Sequence, residues 1–399
     1  MPKAWILGAM LFLMPTLGFA QWTRQPSGTA RRLKDVWFIH PSVPRGWVVG
    51  DSGTILSTTN LGATWSAQTS PTTQPLYGVG WAVPGYSYRE WASAVGGQGT
   101  GVILHTTDSG NTWNVKATPT PVMYAVSYGD SLSGWAAGDS GQVWRTTDGG
   151  LSWAFQAKTL AVIWFGVWFS NPRRGWTCGT NGAIMATTDG GASWSTQASG
   201  TSNTLRGVCF RDSLTGCVVG DSGKILRTTN GGGAWSPISS GTAVNLNAVY
   251  LTPIASNGFA VGDSGKILGT GDLGATWVPD FSGTTQTLRG VWCWRDMPGM
   301  VAWAVGDSGT ILFSLYVGVE AERSTLNLKR SPLTLTPNPI VSFAKVPGYE
   351  SERFALYDIS GRKVGTYRGD RIGEGLGAGV YFLRSEGKDA KPLRIVKVR

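Results

Sequence analysis

The nine residues RTTDGGLSW that start at Arg145 return in outline as STTNLGATW from Ser57, HTTDSGNTW from His105, ATTDGGASW from Ala186, RTTNGGGAW from Arg227 and GTGDLGATW from Gly269. Six copies in phase mean that one supersecondary unit is repeated and that each unit buries its apolar faces against its neighbours. Aligned on these copies, each unit reads as an apolar run containing Val, a turn, a second run ending in VGDSG, a third run of the TIL type, then the copy and its Trp. The glycine that ends the VGDSG-type turn falls at Gly53, Gly101, Gly141, Gly182, Gly223, Gly265 and Gly309, so seven units follow at spacings of 40 to 48 residues. Four short alternating segments at this period are what a four-stranded propeller blade requires. With 57 Gly, 20 Trp and 15% charged residues, the chain has the composition of a turn-rich all-β protein.

The repeated stretch carries its own mechanics. Asn60, Asp108, Asp148, Asp189, Asn230 and Asp272 are placed to accept hydrogen bonds from backbone N–H groups two residues on. The glycine two positions later permits a left-handed turn, and the hydroxyl that usually precedes Trp can close the loop. These are the residues of the Asp box, and they read as a staple for a hairpin rather than as a working site. The seventh unit ends at VGDSGTILFS without a box, while residues 22–29, WTRQPSGT, match the strand that follows the other boxes, as in WSTQASGT from Trp194. The N-terminal strand is therefore predicted to complete the seventh blade, which removes an exposed sheet edge.

Residues 1–20 place Lys3 before an apolar run that ends Gly18-Phe19-Ala20, the pattern of a signal peptide cleaved before Gln21. No later stretch is long and apolar enough to span a bilayer, so no transmembrane segment is expected after cleavage. The formal charge of +10 divides into 18 Lys+Arg against 15 Asp+Glu from Gln21 to Val319 and 15 against 9 from Glu320 to the end. Such a spread lacks the concentrated basic face that nucleic acid needs, which excludes that partner class.

The run GWVVGDSGTILSTTNLGATW and its relatives resemble the exported photosystem II stability and assembly factor propellers over residues 22–314. That resemblance implies a seven-bladed, non-enzymatic, protein-binding ring. After Ser314 the chain becomes polar over residues 315–331, and residues 332–399 read as short strands forming a small Ig-like β-sandwich. There LTPNPI, LYDISGRKV, GVYFLR and the basic LRIVKVR come in an order that resembles the C-terminal sorting domain of the type IX secretion system. This resemblance implies engagement of that secretion machinery and delivery to the outer-membrane surface or medium; an ordinary accessory Ig-like module is the alternative.

A hydrolase reading is the runner-up, because its acids give it little to build on. A glycosidase needs two carboxyl groups across the scissile bond, yet only Asp35, Glu90 and Asp280 of the propeller acids fall outside the repeat scheme. The expectation is no catalytic residue, no cofactor and no metal site. His40 and His105 read as solvated turn residues without ligand-spaced neighbours. Cys209 and Cys217 stand where Trp168 and Trp176 stand one unit earlier, which predicts a cross-strand disulfide, with two buried thiols as the other outcome.

The binding surface is sought where the units disagree. Two residues before a constant Val stand Lys34, Tyr77, Tyr124, Phe165, Arg206, Asn247 and Arg289, at the start of the innermost strand. They predict a mouth with an aromatic arc and a basic arc, the latter holding acidic groups of a ligand. The alternative is that they only pack between blades. The reading is thus a secreted propeller that binds a protein or glycan at the cell surface, with a sialidase-like hydrolase or a surface-layer protein as alternatives.

Overall fold

The computed structural model describes residues 22–40, 43–82, 91–159, 161–296 and 299–316, and in the C-terminal part 353–358, 362–368, 371–372, 379–385 and 393–397. The predicted leader and Glu90 lie outside the described residues, as does the predicted linker except Leu315 and Tyr316, which belong instead to the strand Thr310–Tyr316. Contacts divide the chain into a unit that ends at Gly318 and a second that begins at Val319.

Seven four-stranded antiparallel sheets make up the first unit. Blade three is representative: Met123–Tyr128 runs innermost, then Gly134–Gly138, Gln142–Thr146 and Ala154–Lys158 outward. The innermost strands of successive blades touch in order, and the last, Leu288–Asp296, touches the first, Leu33–His40, which closes the ring. In blade seven Thr310–Tyr316 is flanked by Thr23–Gln25, with Thr23 opposite Phe313 and Gln25 opposite Ile311. The turn of that blade packs on the same segment: a Cβ at Gly309, whose φ is +64°, would lie 1.8 Å from the Thr29 carbonyl oxygen. Only glycine fits there.

Blades bury both faces against neighbours, so the second strands read as continuous apolar runs; Gly134–Gly138, Gly175–Gly179, Gly216–Gly220 and Gly258–Gly262 are buried throughout. A large ring on the second strand of one blade stacks on the first strand of the next, as in Trp47 on Trp81 at 4.8 Å, Trp135 on Phe169 and Trp176 on Phe210 at 3.5 Å, and Trp303 on Phe38 at 3.8 Å. Each such pair contributes about 0.5–1.5 kcal/mol beyond its area burial. Three interfaces depart from the rule. Ser93 takes the Trp place in blade two, Cys217 takes it in blade five, and Phe259 of blade six has Cys293 as its counterpart on blade seven and meets the Trp22 ring edge-on instead.

The Asp boxes fold almost as expected. Thr106 donates to Asp108 Oδ1 at 2.8 Å and accepts from Gly110 N–H, while Asp108 accepts the Thr112 N–H at 2.9 Å and hydroxyl at 2.6 Å. The same bonds hold Asp148, Asp189 and Asp272. Asn60 and Asn230 accept from the N–H of Thr64 and Ala234. The backbone donor lies four residues on, not two, because the left-handed glycine carries the chain around before it returns.

The second unit contains one four-stranded antiparallel sheet among its described residues, in the order Lys363–Arg368, Arg353–Asp358, Gly379–Ser385, Leu393–Lys397. Phe354, Ala355 and Leu356 are buried. A second layer, which a sandwich requires, would fall on residues outside those described.

Candidate functional site

The seven variable residues come together. Lys34, Tyr77, Tyr124, Phe165, Arg206, Asn247 and Arg289 all line one cavity of about 140 Å³ at the centre of the ring. They stand at the end that carries the VGDSG turns, since Lys34 reaches Asp51 at 3.3 Å, Arg206 bonds Asp221, and Asn247 donates to Asp263 at 3.0 Å. Arg289 grips Asp307 with two bonds, of 2.6 and 3.0 Å. These pairs alter the expected chemistry of the basic arc. The guanidinium groups read as holders of a ligand's acids are already held by acids of the adjoining turns.

The aromatic arc is continuous. Ring centroids lie 5.0 Å apart between Tyr77 and Tyr124 and 5.3 Å between Tyr124 and Phe165, and its ends are flanked by Lys34 over Tyr77 and Arg206 over Phe165. Packing between blades and lining of the mouth are therefore properties of the same side chains. Burial, with Arg289 nearby, lowers the Lys34 pKa despite Asp51. Burial would raise Asp307, but the Arg289 bond outweighs it and holds the carboxyl below its ordinary range.

Deeper in, the wall position next along each strand is Gly78, Ala125, Gly166, Gly207, Ala248 or Gly290, and in blade one it is Asp35. Asp35 lines the cavity, accepting the N–H of Val36 at 2.8 Å and, across the blade interface, that of Val79 at 3.0 Å. Burial pushes its carboxyl up to about 7 against the pull of those two donors. Beyond the constant Val, Trp37, Trp168 and Tyr250 meet one another with centroids 5.7 to 6.3 Å apart. They come from blades one, four and six, so their rings reach across the axis and close the channel into a blind pocket. Asp35 stands apart from the repeats in the sequence itself; the aromatic floor is visible only once the blades are arranged in a ring.

Three further acids are structural. Asp130 accepts the N–H of Leu132 and Ser133, and Asp212 those of Leu214 and Thr215, as turn caps. Asp280 accepts the Trp22 indole N–H at 3.0 Å. His105 is not a solvated turn residue. It is buried on the strand Thr100–Thr106, where the small Ser93 leaves it room; its Nδ1 lies 3.0 Å from Ser93 Oγ, which is 2.6 Å from Tyr128 Oη. Burial lowers its pKa to about 4.

The expected disulfide is not formed. Cys209 and Cys217 face each other in register, but all four cysteines are free and buried. Cys209 Sγ instead accepts the Leu251 N–H of the next blade at 3.2 Å, as Ser127 Oγ accepts that of Phe169 at 3.0 Å. Among the described residues no three His, Cys, Asp or Glu side chains group as metal ligands, and no helix is long and apolar enough to cross a membrane.

Ring and boxes define a seven-bladed β-propeller with a blind central pocket. Within that class, the sequence profile of the photosynthesis system II assembly factor YCF48 matches residues 14–122 and 158–244, and the propeller is similar to that family. The structure is similar to YCF48 from Cyanidioschyzon merolae at 18% identity, with 73% of this chain and 98% of that chain covered and a TM-score of 0.59. It is also similar to YCF48 bound to D1 peptide, at 20% identity, 78% and 100% coverage and a TM-score of 0.60. The WD40 propeller domain of Doa1 aligns at 11% identity, 76% and 98% coverage and a TM-score of 0.59, a likeness of fold alone. No curated protein matches the chain significantly.

Proposed function

We propose that the chain is a non-enzymatic propeller that binds a protein partner at the mouth of its central pocket. The carrying observation is the convergence of the seven variable residues on one cavity while the repeated acids are spent on turns. A YCF48 structure with a bound D1 peptide supports a peptide-bearing partner over a glycan. The pocket agrees, being well below the roughly 300 Å³ at which small-molecule sites begin.

Two further parts belong to this reading. Thr23–Gln25 closes the ring after removal of a leader before Gln21, so export and completion of the last blade are linked. The C-terminal unit acts as a type IX sorting domain that carries the propeller to the outer-membrane surface or the medium, supported by the order of its four sequence segments.

Site-specific photo-crosslinking tests the mouth. A crosslinker at position 165 should capture a protein from the cell envelope, whereas one at Leu151, exposed beside the Asp box of blade three, should not. Capture only from position 151 places the surface at the other end.

A further inference from the structure

The blind pocket contains one carboxyl that no cation of the described residues answers. At six of the seven wall positions the residue is Gly or Ala, and a side chain there would run into the next blade; a Cβ at Gly207 would lie 3.1 Å from the Ala248 Cα and one at Gly78 3.1 Å from the Tyr124 carbonyl oxygen. Blade one alone carries an acid there, and blade seven makes room for it, because a Cβ at Gly290 would lie 2.8 Å from the Asp35 Cα. Asp35 spends two of its roughly four acceptor sites on the Val36 and Val79 N–H groups. No cation of the described residues pairs with it: Lys34, the nearest in sequence, is bonded to Asp51, and Arg289 and Arg206 are bonded to Asp307 and Asp221.

An unpaired carboxyl in a pocket with an aromatic floor is costly for folding alone. A cross-blade bond to a backbone N–H does not need a carboxyl, since one residue beyond the constant Val a single hydroxyl, that of Ser127, ties blade three to the Phe169 N–H of blade four. The carboxyl is thus more than the backbone asks for. Above it, Tyr77 and Tyr124 form the side of the mouth where the one cation over a ring, Lys34 over Tyr77, is already bonded to Asp51, and Asp139 beside Tyr124 has only the adjoining Ser140 N–H as a side-chain partner among the described residues. Aromatic faces and carboxylates together favour a cation.

We propose that the pocket receives a protonated amine or guanidinium, the side chain of one lysine or arginine of the protein partner, with Asp35 as its counter-charge. The floor of Trp37, Trp168 and Tyr250 stops the inserted chain, so a single side chain enters from the mouth and no segment threads through. This inference rests on the mouth being the partner surface and names what that surface grips.

The test uses the full chain with indole-15N tryptophan and small probes of matched length: butylguanidinium, butylammonium, pentanoate and pentanol. Saturable shifts of the Trp37 and Trp168 indole resonances are expected with the two cations and none with pentanoate. Asp35→Asn, which keeps size and one acceptor, should weaken cation binding at least tenfold. Because that variant also alters the clamp on Val79, wild-type binding is measured against pH as well, and should tighten as the Asp35 carboxyl ionises. Equal response to pentanol and the cations, or tighter binding of pentanoate, overturns the inference. If a partner crosslinks at position 165 while no cation binds the pocket, the mouth stands and this inference falls; if cations bind but nothing crosslinks at the mouth, the reading of function falls instead.

Discussion

Trp22 donates its indole N–H to the Asp280 carboxylate at 3.0 Å, across the seam between the seventh blade and the sixth. In three of the six boxes the closing Trp reaches a Gln three residues after the previous blade's Trp: Trp65 reaches Gln25, Trp113 reaches Gln68 and Trp235 reaches Gln197. Blade seven has no box, so the N-terminal strand supplies its Trp, and Asp280 stands where the Gln would stand. Trp22→Phe keeps the packing on Phe259 but leaves a half-buried acid with the Phe281 N–H alone. A loss of about 1–3 kcal/mol in urea unfolding is expected. Asp280→Gln should recover most of it in the double variant. Deleting residues 21–28 should lower the Tm far more than deleting residues 333–399, and equal melting of the two truncated chains contradicts closure by this strand.

Two groups of the propeller oppose each other in pH. His105 is held near 4, below its ordinary value, so its neutral form is favoured in the folded chain; stability is lost as pH falls from about 6.5 towards 4. Asp35 is held near 7, above its ordinary value, so its protonated form is favoured; stability is lost as pH rises from about 4 to 7. The windows overlap and the slopes have opposite sign, so the wild-type chain should change little between pH 4 and 7. His105→Gln should unmask a rise in stability towards acid, and Asp35→Asn a fall. Urea midpoints of the three proteins across that range decide it, and identical profiles would show that neither group titrates as described.

How much of this was legible in the sequence depends on whether the residue serves the repeat or departs from it. The boxes, the seven blades and the place of the rim residues follow from periodicity, because a propeller repeats one local solution and each copy votes for the same register. What periodicity could not show is what one blade does to the next. Asp307 belongs to a repeated turn and Arg289 to a variable position, and nothing in either segment says that they are bonded. Likewise His105 precedes a box like any surface residue. Its burial follows from Ser93, twelve residues away, standing where other blades place Trp.

Cys209 illustrates the same point as a prediction. Its sulfur accepts the Leu251 N–H, the service that Ser127 performs two blades earlier. Cys209→Ser should therefore keep stability within about 1 kcal/mol, while Cys209→Val strands a buried N–H and should cost about 1–3 kcal/mol. Burial raises the pKa of both Cys209 and Cys217, to about 12 for the latter. Neither should react with iodoacetamide until the chain unfolds. A mass deficit of two hydrogens on the peptide that contains both would restore the disulfide.

The sorting reading has a cellular test. In a host with the type IX pathway, the full chain should reach the surface or medium, and a chain ending at Lys329 should accumulate in the periplasm. Identical distribution of the two leaves the C-terminal unit as an accessory module.

The ion pairs of the mouth change what a binding experiment there will measure. Arg289 and Asp307 are 29% and 22% exposed and joined by two bonds, so each holds the other where water is only partly present. Arg289→Ala leaves Asp307 facing Lys34 and Arg32, which compensate in part. A loss of about 1 kcal/mol is expected, well below that of a fully buried pair. Asp307→Asn should cost a similar amount, and the double variant less than the sum of the two, since each single change already breaks the bond. Partner binding should then be judged in Arg289→Lys, which keeps the charge but loses the bidentate fork. If a partner needs Arg289 only as part of the rim's structure, Lys restores both stability and affinity together. If the guanidinium leaves Asp307 to hold an acid of the partner, Lys restores stability while affinity stays reduced, and the salt dependence of binding separates the two outcomes.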